Sequence, residues 1–109
     1  LITFFATWCA PCLQEIPALK ELHAKFYPQN FAVVALSVDE GGSGTVARLV
    51  EKAGINYQVL MADQATTRNF GGVAAIPTSF LVNKHGHVVK KFPGFVPHSL
   101  LERDIESVL

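Results

Sequence analysis

At 109 residues the chain has the length of one domain, and with half of its residues hydrophobic it can bury a core without the disulfide framework that two cysteines are too few to build. Nine basic and nine acidic side chains cancel, so the electrostatic footprint of a nucleic-acid binder is missing. No apolar run approaches the ~20 residues that span a bilayer. Leu1 opens directly into an apolar stretch with no methionine or signal peptide ahead of it, and the chain reads as a processed or excised domain.

Residues 1–6, LITFFA, are apolar and rich in β-formers, which predicts a buried strand. Over residues 11–26 the apolar Ile16, Leu19, Leu22 and Phe26 recur at helical spacing. Pro11 suits the first turn of that helix, where its missing N–H costs nothing, and Pro17 inside it predicts a kink. FYPQN ends the element, and FAVVALSV at 31–38 predicts a second buried strand. After the breaker DEGGSG, TVARLVEKAG predicts a helix with Gly54 at its C-terminal cap. YQVLMA predicts a short extended piece, and DQATTRNFG a short helix opened by Asp63. TSFLVN and HVVKKF are strands joined by a KHG turn, and from about residue 97 HSLLERDIESVL predicts an amphipathic helix. Two strands joined by a helix run parallel with a right-handed crossover, and the last two form an antiparallel hairpin. The fold class is α/β with a mixed sheet.

The only two cysteines stand in Cys9-Ala10-Pro11-Cys12, the first at a helix N-terminus and the second about one turn inside. Peptide dipoles and free N–H groups at that position favour an anion, and a thiolate is one. A thiol pKa of about 8.5 falls there to about 3.5–7.5, so Cys9 can attack a disulfide near neutral pH. Cys12 is close enough to attack the resulting mixed disulfide and release the product. Two other readings fit a CxxC pair. Half a zinc site needs two more ligands, and nothing in the sequence brings His23, His85, His87 or His98 to the cysteines. Two inert core cysteines are the other, and Trp8 and Pro11 beside a helix start argue against it.

The stretch FFATWCAPCLQEIP resembles the thioredoxin superfamily, and closely resembles its extracytoplasmic TlpA/ResA/DsbE-type members, which carry a W-C-x-P-C-x-x-E-x-P run. VVALSVDE, GINYQVLMAD, FGGVAAIPTSFLVNKHGHVV and FPGF follow in the family's order, so the resemblance covers essentially the whole chain. It implies a thioredoxin fold over residues 1–109 as one thioredoxin-like domain, a central mixed β-sheet flanked by helices. The family's N-terminal hairpin and signal or anchor have no counterpart in these residues.

The resemblance also implies roles. Cys9 would be the exposed nucleophile and Cys12 the resolving thiol, joined as a redox-active disulfide. Pro77 would match the family's cis-proline opposite the cysteines, turning the backbone of Ile76 toward the thiols to pair with an extended substrate. Trp8 and Pro11 would contact substrate. Glu15, three residues after Cys12 and on its helix face, would be an ionised, partly buried carboxylate that exchanges protons with Cys12. Read from the residues alone, Trp8 is equally a core side chain, Glu15 a carboxylate favoured by the helix dipole, and Pro77 a proline ahead of a strand. One departure is Thr3, which stands where thioredoxins proper carry a buried acid six residues before the first cysteine. It shifts proton handling to Glu15 or to water and argues against a general cytosolic thioredoxin. His85, His87, Lys90 and Lys91 form a basic hairpin read as solvated surface.

The implied activity is a dithiol–disulfide oxidoreductase, with no cofactor or metal, that reduces protein disulfides outside the cytoplasm. Family substrates include apocytochrome c, reduced before haem attachment. A membrane thiol reductant would be the redox partner, and the chain would act as a monomer. The alternative is a metal-binding or redox-sensing thioredoxin-like module without turnover. Related copper carriers space their cysteines by three residues and add a distant histidine, which this CxxC does not match.

Overall fold

The computed structural model describes all 109 residues. Five strands form one sheet: β1 (Ile2–Phe5), β2 (Val34–Ser37), β3 (Gln58–Met61), β4 (Thr78–Val82) and β5 (Val88–Pro93). Their order across the sheet is β3-β2-β1-β4-β5. β1, β2 and β3 are parallel, whereas β4 is antiparallel to both β1 and β5. The helices are α1 (Ala10–Phe26), α2 (Gly44–Ala53), α3 (Gln64–Asn69) and α4 (His98–Glu106), with a 3₁₀ turn at Tyr27–Gln29.

Alternation along β1 divides the core. Phe5 joins a large cluster with Leu19, Leu22 and Phe26 of α1, Val46 of α2, and Leu101 and Ile105 of α4. Phe4 points the other way, onto Leu36 and Phe80, with Phe70 and Val73 packed beside them. Period-two alternation in the strand thus builds two layers on opposite faces of the sheet. Ser79 on β4 donates to Thr3 Oγ1 on β1 at 2.9 Å, and both residues are buried.

One local expectation changes. The second strand is shorter than the apolar run 31–38, because Phe31 and Val33 turn into the core before the regular ladder begins. Bonds from Val34 N–H to Leu1 C=O and from Val38 N–H to Phe5 C=O carry the pairing to both its ends. α1 runs unbroken through Pro17, which is exposed, so the lost helical bond falls on the solvent side. Gly54 caps α2 in the left-handed region with φ 62°, and Asp63 caps α3 by accepting from Thr66 N–H at 2.7 Å.

The register decides what meets at one end of the sheet. Phe5 pairs with Ser37 and Phe4 with Thr78. The carboxyl ends of β1 and β2 and the start of β4 therefore lie side by side. Residues 6–9, Asp39 and Pro77 all lie on that edge.

Candidate active site

Cys9 and Cys12 form a disulfide with their Cα atoms 5.2 Å apart. Cys9 is the N-cap of α1 in extended conformation, and its Sγ accepts from Cys12 N–H at 3.3 Å. Its own N–H donates to Ala6 C=O at 3.2 Å, and its C=O accepts from Leu13 N–H at 3.1 Å. The sulfur thus occupies the place of a capping oxygen, where the unpaired donors of the helix start converge. Cys9 is nevertheless not exposed, contrary to the expectation for a nucleophile. It is 6% accessible against 4% for Cys12, and both belong to the large core cluster that also holds Phe5 and Ala6.

Trp8 is 72% exposed, so the core reading of this side chain does not hold. Pro11 is exposed as well, and Phe95 stands half-exposed after Gly94. All three apolar side chains are thus open to solvent rather than packed in the interior.

Glu15 is more deeply buried than expected, at 3% accessible. Its Oε2 accepts from Val96 N–H at 2.9 Å. Burial pushes its carboxyl up to about 7, and the Val96 bond only partly opposes this. Near neutrality it is therefore a mixture of acid and carboxylate, not the ionised group expected. Glu15 and Cys12 line one small cavity of about 10 Å³ together with Thr3 and Tyr57. That is room for about one water. Burial, and next the charge of Glu15, hold the Tyr57 phenol well above its ordinary value. Tyr57 carried no local signal as a site residue, since a lone tyrosine ahead of an edge strand reads as packing.

The Ile76–Pro77 peptide is cis. Pro77 is buried, and its C=O accepts from Gly94 N–H at 2.8 Å. Thr78 Oγ1 donates to Ala75 C=O at 2.6 Å. Ile76 packs against the cluster that contains both cysteines, and neither its N–H nor its C=O takes a hydrogen bond within the chain.

Asp39 is the residue the sequence reading passed over, as part of a chain-breaking stretch. Its carboxylate accepts from Thr7 N–H at 3.1 and 3.2 Å, from Thr7 Oγ1 at 2.7 Å and from Ser37 Oγ at 2.7 Å. Desolvation pushes its pKa up, but the bonds from Ser37 and Thr7 outweigh this and hold the carboxyl below its ordinary value. The available signal was an acid just after a strand that could reach a hydroxyl just before the cysteines.

The basic hairpin does not join the site. His85 and His87 lie at the far end of β4 from Pro77, and Lys90 pairs with Asp104 of α4 at 2.7 Å. His23 accepts from Val33 N–H through Nδ1, and His98 faces Glu21 and Glu102. No three His, Cys, Asp or Glu side chains converge as a ligand set.

Comparison with known proteins places this geometry. The Redoxin family profile matches residues 1–109. The chain belongs to the Redoxin family. This Redoxin chain is 30% identical over 107 residues to the thiol-disulfide oxidoreductase ResA of Geobacillus thermodenitrificans, covering 98% of the chain and 61% of that relative. It is 30% identical over 100 residues to ResA of Bacillus subtilis, covering 92% of the chain and 55% of the relative. The chain thus spans about three-fifths of the length of the curated relatives it matches. A thioredoxin family thiol:disulfide interchange protein from Chlorobium tepidum superposes with a TM-score of 0.90 at 31% identity, covering 98% of this chain and 77% of the other. The fold is that of thioredoxin, and Cys9 and Cys12 form a disulfide at the start of its first helix.

Proposed function

We propose that the chain acts as a thiol-disulfide oxidoreductase that reduces disulfides in other proteins. The observation that carries this is a CxxC pair whose first sulfur caps α1 while its second cysteine lines a small cavity with Glu15. In the dithiol state, the Cys9 thiolate attacks one sulfur of a substrate disulfide. A mixed disulfide forms, and the other substrate sulfur leaves as a thiolate that takes up a proton. Cys12 gives its proton to Glu15, directly or through a water in the cavity, and attacks Cys9 Sγ. The second substrate sulfur leaves, two electrons have passed to the substrate, and the Cys9–Cys12 disulfide remains. Trp8, Pro11 and the free backbone of Ile76 hold the substrate segment, and the cis Ile76–Pro77 bond sets the course of that backbone.

The names of the relatives and the run TWCAPCLQEIP support an extracytoplasmic setting, in which a membrane thiol reductant returns the pair to the dithiol. Apocytochrome c is the substrate class we assign first. Residues 1–109 act as one thioredoxin-like unit and as a monomer. A trapping experiment tests the reading. Cys12→Ser incubated with a disulfide-bonded apocytochrome peptide should accumulate a mixed disulfide through Cys9, and Cys9→Ser should not. Equal trapping by both variants would overturn the assignment of roles.

A further inference from the structure

We propose that Asp39 is a positioning residue for the Cys9 thiol: acting through Thr7, it fixes the short turn that sets Cys9 as the cap of α1. The proposal rests on Cys9 being the attacking thiol. Only residues 6–9 join β1 to α1. Ala6 C=O and Cys9 N–H close that turn from inside. Thr7 N–H points outward, and the Asp39 carboxylate is its partner. The carboxylate is itself fixed, because Ser37 Oγ donates to it at 2.7 Å and accepts from Asp39 N–H at 3.0 Å. Ser37 is fully buried and pairs with Phe5, the last residue of β1. The clamp therefore ties the turn to the strand beside the one from which it departs. Sequence separation between Thr7 and Asp39 is 32 residues, so nothing local supplies this bond.

The consequence concerns sulfur. A thiolate at Cys9 is stabilised by the Cys12 N–H that its Sγ already faces at 3.3 Å. If the turn relaxes, that donor is lost. Asp39 also carries a negative charge, which acts in the opposite sense and disfavours a nearby thiolate. Positioning and charge thus predict opposite signs on removal of the carboxylate. On its other side Asp39 borders a cleft shared with Glu40, Asp63 and Arg68, and Glu15 faces the cysteine pair from α1. These groups stay constant across the variants below.

The test follows the pH dependence of Cys9 alkylation in the Cys12→Ser protein, alone and combined with Asp39→Ala, Asp39→Asn or Thr7→Val. Loss of a cap is worth about a factor of five. We expect Asp39→Ala to move the Cys9 titration up, with about fivefold slower alkylation at pH 6. Asp39→Asn keeps an acceptor for Thr7 N–H and removes the charge, so its Cys9 should titrate at or below the parent. Thr7→Val keeps the charge and the backbone bond, and should show a smaller slowing in the same direction. It also reads the proposal if Asp39→Ala fails to fold. A Cys9 titration that is unmoved or lowered in Asp39→Ala, with only thermal stability reduced, would overturn the proposal. So would equal rises in Asp39→Ala and Asp39→Asn, or an unmoved Thr7→Val where Asp39→Ala cannot be made. An ordinary thiol titration in the parent would instead count against Cys9 as the attacking thiol. The Asp39 proposal is judged by the shifts between variants.

Discussion

Glu15 on α1 and Val96, 81 residues further along the chain, meet in a buried 2.9 Å hydrogen bond. The bond fixes one carboxylate oxygen, and Glu15 lines a small cavity together with Cys12. One backbone donor does not replace the water that burial removes, and the acid is held up to about 7.

Stability should follow from that shift. The ordinary carboxyl value is 4.5 and the folded value about 7. A raised folded pKa stabilises fully below the unfolded value, and this is lost as pH rises through the folded one. The oxidised protein should therefore lose stability from Glu15 between pH 4.5 and 7.5, by at most ~3 kcal/mol before solvent screening reduces it. His23, pushed down first by burial, acts oppositely in part of this window. The readout is thus the difference between wild type and Glu15→Gln in urea unfolding at each pH. A difference that is flat with pH contradicts the assignment.

Turnover should carry the same signature. Removing a positioned proton carrier costs about 10²-fold or more, so Glu15→Gln should slow reduction of a protein disulfide by about that factor. Its pH–rate profile should also lose the limb near neutrality. The thiol titrations should shift down as a set, because a neighbouring negative charge has gone. An unchanged profile would make Glu15 a buried structural acid only.

Trp8 separates binding from folding. At 72% exposure its replacement by alanine should change stability by no more than ~0.5 kcal/mol. An aromatic anchor of a partner surface is worth about 2 kcal/mol, so kcat/KM for a protein disulfide should fall about thirtyfold. Reduction of a small aromatic disulfide should be nearly unaffected. Equal losses on both substrates would place Trp8 in the chemistry rather than in docking.

The buried Thr3–Ser79 pair offers a cycle of its own. Thr3→Val leaves the Ser79 hydroxyl without its 2.9 Å partner and should cost about 1–3 kcal/mol in denaturant unfolding. Adding Ser79→Ala removes the orphan and should recover most of the loss. Additive losses in the double variant would show that the hydroxyls do not depend on each other.

What was legible in the sequence is what depends on neighbours a few residues apart. The start of α1 at CAPC, the caps at Gly54 and Asp63, and the placing of Glu15 one turn beyond Cys12 follow from helix-end chemistry and the helical period. The CxxC pair was readable for the same reason, since both sulfurs belong to one helical turn. Other properties of the site depend on contacts between distant parts of the chain. The burial of Cys9, the exposure of Trp8, the raised pKa of Glu15, the cavity with Tyr57 and the Asp39 clamp on Thr7 each require the sheet register or a helix packed upon it. Exposure and desolvation are set by what covers a group. For these residues the covering atoms arrive from strands and loops tens of residues away, so only the tertiary structure decides them.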